Sequence, residues 1–304
     1  MAGMKQSDNV PDRCTDRVVS TVSSAGDVLV RAIVATQLVR EATSRHAMSP
    51  TATTALGRAL TGCVLLAAGV KEQETIQLQI RGDGPLGSLM AIADPQGRAR
   101  GYVSNPAADP RLDDGTFDVP SALGRGLLTV SRRRPRWPAP QSGTVELETG
   151  EIAEDLARYL AHSEQVPSAI GLGISVTPDA EVEAAGGFLV QALPGADDDE
   201  LARVEENVQA LANLNQRVRE GVSADELVDL LLAEMGSRAR HSMQPHFYCP
   251  CSRRRALRTL SLLGDDELRT MADSREPQEV RCNVCGERYL FGSEEMHLLL
   301  PRQA

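Results

Sequence analysis

Apolar positions along this chain follow two rhythms, and the change from one to the other marks its organisation. The run Thr75-Ile76-Gln77-Leu78-Gln79-Ile80-Arg81 alternates apolar and polar residues, which predicts a strand with one buried face. The β-branched run Val28 to Val34 reads as another strand and leads into a helical stretch at Ala35 to Arg45. Ser49 and Pro50 punctuate, and Thr51 to Gly69 reads as a largely buried helix. Further strands are predicted at Leu86 to Ala93, Ala99 to Val103, Leu127 to Val130, Thr144 to Glu148, Ala169 to Val176 and Gly187 to Leu193. Among them, Glu151 to His162 places Ile152, Leu156 and Leu160 four apart, the mark of an amphipathic helix. Residues 17–196 therefore read as one α+β domain, after a disordered lead-in over 1–16.

After Pro194-Gly195 the rhythm becomes helical. Leu201, Val204, Val208, Leu211, Leu214 and Val218 recur at spacings of three and four, and Gly221 ends that helix. Ser223 with Glu226 forms a capping-box pattern for a second helix bearing Leu227, Leu230 and Leu231. The stretch 197–240 carries 11 acidic and 5 basic residues, so it reads as an acidic helical linker. Residues 241–304 form a third, small unit. The fold class is α+β: a large N-terminal α/β-sheet domain, a helical linker and a small C-terminal domain that holds four of the six cysteines.

Composition narrows the picture. Hydrophobic residues make up 41% of the 304 and aromatics only 3%, so the core must be aliphatic. The net charge of −10, with lysine only at Lys5 and Lys71, argues against broad binding to phosphate backbones. The longest apolar run, about Cys63 to Val70, falls far short of the roughly 20 residues a spanning helix needs. Met1 to Arg17 is polar, without an apolar signal core, so a cytosolic location is expected. Thiols are kept reduced there, and clustered cysteines then point to metal or redox chemistry.

Four cysteines cluster: Cys249-x-Cys251, a gap of 30 residues, then Cys282-x-x-Cys285 followed by Gly286. Four thiolates can close a tetrahedral shell around one zinc ion. Phe247, Tyr248, Tyr289 and Phe291 flank the two pairs. Cys-x-Cys also brings neighbouring sulfurs close, and the thiolate is the reactive form. An oxidant could then convert each pair to a disulfide and expel the metal. The same spacing also suits a purely structural zinc module. A unit of this size is marginal on its own core. Structural zinc contributes on the order of 10–16 kcal/mol in small finger peptides. Losing it should unfold the tail and strip support from the acidic helices, exposing apolar surface.

Three motifs carry a resemblance: Cys249-Pro250-Cys251-Ser252-Arg253-Arg254-Arg255, Leu262-Leu263-Gly264-Asp265-Asp266-Glu267-Leu268, and Val280 through Phe291. Together with Arg81 to Gly87 and Arg100 to Pro106, they are similar to the redox-regulated heat-shock chaperones, the thirty-three-kilodalton chaperonins, over about residues 25–298. The resemblance implies an ATP-independent holdase, not an enzyme, whose zinc-bound reduced form is inactive. It implies Cys249, Cys251, Cys282 and Cys285 as zinc ligands, and disulfides Cys249–Cys251 and Cys282–Cys285 on oxidation. Zinc would then be released, tail and linker would unfold, and the active form would be a homodimer that binds unfolding clients. Leu201, Val204, Val208 and Leu211, with the surface they cover, are the candidate client site.

Other signals have plainer readings. Gly82-x-Gly84-x-x-Gly87 follows a strand, but Pro85 interrupts it and a β-turn is expected rather than a dinucleotide loop. Arg253, Arg254, Arg255 and Arg258 read as a solvated helical face or as charge balance for the thiolates, and the basic run Arg132 to Trp137 as an exposed loop. His246 is a spare ligand at most, Cys63 a buried small residue, and Cys14 a bystander. The alternatives are a zinc-ribbon nucleic-acid binder and a thiol–disulfide oxidoreductase.

Overall fold

The computed structural model describes residues 15–274 and 276–300. Cys14 and most of the expected lead-in lie outside these. The large domain runs β1 (Arg17–Val22), β2 (Val28–Val34), α1 (Thr36–Ser44), α2 (Pro50–Ala67), β3 (Thr75–Gly82), β4 (Ser88–Ala93), β5 (Arg98–Val103), α3 (Val119–Leu123), β6 (Gly126–Arg133), β7 (Gln141–Glu146), α4 (Ile152–Ser163), β8 (Ser168–Val176) and β9 (Val182–Ala192). Three helices follow: α5 (Asp198–Gln209), α6 (Leu214–Arg219) and α7 (Ala224–Leu231). The tail contributes β10 (His241–Met243), β11 (His246–Phe247), α8 (Arg253–Leu260), α9 (Asp265–Ala272), β12 (Gln278–Arg281), β13 (Arg288–Phe291) and α10 (Ser293–His297).

Two sheets enclose α2. A five-stranded sheet has the order β10-β1-β2-β9-β8, and a six-stranded one the order β11-β5-β4-β3-β6-β7. α2 buries every residue except Arg58, touching β2, β8 and β9 on one side and β3, β4 and β5 on the other. Small residues let it sit that close: a Cβ on Gly62 would stand 2.8 Å from Leu156, and one on Gly57 3.0 Å from Val39. The Oγ of Ser49 caps the helix by accepting from the Ala52 N–H, and Pro50 occupies its first turn.

Alternation along the strands decides which layer each residue joins. Ile76, Leu78 and Ile80 of β3 face α2, while Gln77 and Gln79 fall on the outer side. In β2, Ile33 joins the α2 core, whereas Val28, Val30 and Ala32 point the other way. There they meet Val204, Leu214, Val218, Leu227, Val228 and Leu231 of the three linker helices, and Leu211 between the first two, to form a second core. A third, small core in the tail holds Ala256, Leu260, Leu268, Ala272, Phe291 and Met296.

Several elements depart from the sequence reading. The first linker helix is two, α5 and α6, separated by turns in which Leu211 N–H donates to Val208 O and Ala212 N–H to Gln209 O. Apolar spacing is preserved across that break, so periodicity alone sees one helix. β9 begins at Val182 rather than Gly187, because Gly186 and Gly187 serve close approach: a Cβ on Gly187 would lie 2.6 Å from Gly171 O. β1 was not foreseen, nor were the short edge strands β10 and β11. The Gly82–Gly87 segment joins β3 to β4, with Gly84 N–H donating to Leu123 O, so it opens no helix. The capping box at Ser223 and Glu226 is present as read.

Candidate metal centre

Each cysteine pair is delivered by a local structure its sequence explains. Cys249 and Cys251 lie in the extended link between β11 and α8, where Ser252 caps the helix by accepting from the Arg255 N–H. Cys282 and Cys285 lie in the tight turn joining β12 to β13. That turn is closed by Gly286 N–H donating to Cys282 O and Cys282 N–H to Glu287 O, both at 2.8 Å. Gly286 has φ +72°, and a Cβ there would stand 2.8 Å from Arg45 O, so glycine is needed for conformation and for space.

The four sulfurs converge. All lie within 4.8 Å of one another, and all four cysteines are free. Cys249 and Cys282 are 3.8 Å apart, Cys251 and Cys285 3.3 Å. Metal–sulfur bonds of about 2.3 Å set tetrahedral sulfurs about 3.8 Å apart, so the donor set fits a four-coordinate ion. Cys285 is buried, the other three are half-buried, and the Tyr289 hydroxyl donates to Cys251 Sγ at 3.2 Å.

Electrostatics explain why such a cluster favours a cation. Burial pushes the Cys249 thiol up to about 11 and holds Cys285 well above its ordinary range. For Cys282, burial is outweighed chiefly by the amides of Cys285 and Val284, so this thiol is held below its ordinary value. Cys282 thus favours the thiolate more than an ordinary thiol does, while Cys249 and Cys285 oppose it. A divalent ion would remove that conflict.

The centre rests on the large domain. His46 Nε2 lies 3.2 Å from Val284 O, inside the Cys-x-x-Cys turn. Arg45 stacks on Phe247 at 4.4 Å, and Arg98 on Tyr248 at 5.2 Å. Arg100 borders the cleft of about 370 Å³ onto which Cys249, Cys251 and Cys282 open. Sequence reasoning missed these four residues, since nothing local links position 46 to position 284.

Val204 and Leu211 are buried, and Leu201 and Val208 half-buried, against the outer face of the five-stranded sheet. Cys63 is enclosed in α2, and burial pushes its thiol up to about 12. His246 is part of β11, outside the sulfur cluster. Arg253 pairs with Glu295 at 2.6 Å and stacks on Phe291, and Arg255 donates to Pro250 O. Arg132 pairs with Glu164, and Arg134 with Glu74. Among the described residues no helix is long and apolar enough to cross a membrane.

Comparison with known proteins agrees over nearly the whole chain. The family model described as Hsp33 protein matches residues 16–292. A 33 kDa chaperonin of Geobacter sulfurreducens is 43% identical, covering 94% of this chain and 95% of its own. One from Symbiobacterium thermophilum is 41% identical, with 92% and 96% covered. The crystal structure of the heat shock protein 33 homolog of Thermotoga maritima superposes with a TM-score of 0.88 at 32% identity, covering 94% of this chain and 97% of the other.

Proposed function

The chain belongs to the Hsp33 family, and we propose that it is a cytosolic, redox-regulated, ATP-independent holdase that captures unfolding proteins stoichiometrically rather than catalysing a reaction. The observation that carries this reading is the convergence of Cys249, Cys251, Cys282 and Cys285 as free thiols in a tail whose own core is small. Zinc, the metal suited to such a closed four-sulfur set, would hold the sulfurs as thiolates and cross-link the two halves of the tail.

Pairing Cys249 with Cys251 and Cys282 with Cys285 forms two S–S bonds and gives up four electrons. Two molecules of hydrogen peroxide accept them, each O–O bond breaking to two hydroxides. The four sulfur donors are then spent, so the metal is lost. A tail held by so few buried residues is expected to unfold without the roughly 10–16 kcal/mol that structural zinc supplies in finger peptides.

Unfolding would reach the linker through ion pairs between the tail and α7. Arg240, next to β10, pairs with Asp225 and Asp229 of α7. Once α5, α6 and α7 lift away, Val28, Val30, Ala32, Phe188 and Val190 are uncovered, a contiguous apolar patch suited to exposed client chains. Two oxidised copies sharing such patches would form the active homodimer.

The test is an aggregation assay on a thermally denaturing client, read together with zinc release, with and without peroxide. Suppression should appear only in the oxidised sample, track zinc release, and saturate in proportion to the amount of protein. Suppression by the reduced, zinc-loaded chain, or oxidation without zinc release, would falsify the proposal.

A further inference from the structure

The two sheets share an unusual feature. A single segment of the tail closes an edge of each. Leaving α7, the chain bridges Ser237 to Ser23, and Arg238 N–H donates to Val22 O at 2.9 Å. It then pairs antiparallel with β1, His241 opposite Ser20 and Met243 opposite Val18. Past Pro245 it crosses to the six-stranded sheet and pairs parallel with β5. There His246 N–H donates to Gly97 O at 2.8 Å and Tyr248 N–H to Ala99 O at 2.9 Å. Met243 and Phe247 pack against the main core from these two edges.

We propose that His241–Phe247 is a removable plug, and that the β1 and β5 edges beneath it bind extended segments of unfolding clients by main-chain hydrogen bonds. This inference rests on the switch described above and adds where, and by what chemistry, a client strand engages. Removal is coupled to the metal centre by chain connectivity, since Tyr248 directly precedes Cys249. An unpaired edge leaves carbonyls such as Gly97 O and Ala99 O without partners, and such edges recruit any extended chain.

The plug itself defines the occupant. It is an extended heptapeptide without a formally charged residue, counting histidine as neutral, and with apolar side chains at Met243 and Phe247. Folded proteins keep such segments paired, whereas unfolding ones present them. The Arg45 guanidinium 4.4 Å from the Phe247 ring adds a preference for an aromatic side chain at that position. The plug therefore serves as a self-ligand that marks the class of sequence the edges accept.

The test uses full-length protein in both states and two fluorescein-labelled peptides spanning residues 238–248. One is unmodified; the other is N-methylated at the amides corresponding to His246 and Tyr248, which removes the two donors and keeps every side chain. The unmodified peptide should bind the oxidised, zinc-free chain about tenfold tighter than the reduced one, and about tenfold tighter than its N-methylated twin. It should also compete with a denatured client. Equal binding of the two peptides, or binding that leaves client capture unchanged, overturns the plug. Zinc is followed in the same samples. Failure to release it on oxidation sinks the switch and the plug together, whereas release without discrimination between peptides sinks the plug alone.

Discussion

The two faces of the five-stranded sheet make an instructive pair. The same strands feed both, through alternate residues. On the inner face the cover is α2, an 18-residue helix with 17 residues buried, itself clamped by a second sheet. On the outer face the cover is three short helices, and the first of them, α5, has only Val204 fully buried. The inner cover cannot leave without dismantling the domain. The outer one is held by side-chain packing on one side only, by polar ties such as Arg240, and by a tail that leans on four sulfurs. On the proposed switch, near-identical strand chemistry would support one permanent core and one conditional core.

The sharpest challenge to that contrast is to remove the tail's donors. Cys282→Ser combined with Cys285→Ser, in the reduced chain, is expected to forfeit most of the roughly 10 kcal/mol or more a structural zinc provides. Hydrogen exchange should then show residues 197–300 losing protection while α2 and β3 keep theirs. Uniform loss, or none, would erase the distinction between the faces.

A matched pair of leucines tests it next. Leu60 in α2 and Leu227 in α7 are both fully buried. Each change to alanine should cost about 2–5 kcal/mol. Leu60→Ala should lower the main unfolding transition in calorimetry. Leu227→Ala should leave that transition nearly in place and let the reduced chain suppress aggregation without oxidant.

Smaller effects come from the ties. Arg240→Ala breaks contacts to Asp225 and Asp229 that are partly exposed, so a cost of about 1 kcal/mol or less is expected. Its signature is faster activation by peroxide, with a difference from the parent that shrinks as salt rises. The smallest response belongs to Cys63. Burial pushes its thiol up to about 12, so the thiolate is scarce at pH 8 and the group is enclosed as well. Alkylation of the native protein at pH 8 should leave Cys63 unmodified and become fast only on global unfolding. Rapid labelling in the folded state would mean that α2 is not the fixed layer described.

Legibility followed the physics of each element. β3 was readable because its residues strictly alternate, and α4 because Ile152, Leu156 and Leu160 share one face. The four cysteines were readable because chelating pairs are local in sequence. β1 was not: Val18 and Val19 serve opposite cores, so no alternation survives. β10 and β11 have three and two residues, too short for any period, and their partners are distant in the chain. His46 escaped for the same reason, since its contact to Val284 spans 238 positions.

The outer side of the six-stranded sheet has a consequence of its own. Thr129 meets Thr144 across β6 and β7, and Ser131 meets Ser142, with Gln77 and Gln79 beside them on β3. This hydroxyl and amide lattice lies on the opposite flank from the patch that activation would bare. A cargo-laden molecule would therefore be a two-sided colloid, greasy on one flank and wettable on the other. Such asymmetry limits cargo-to-cargo coalescence, so captured material would stay dispersed and open to later refolding.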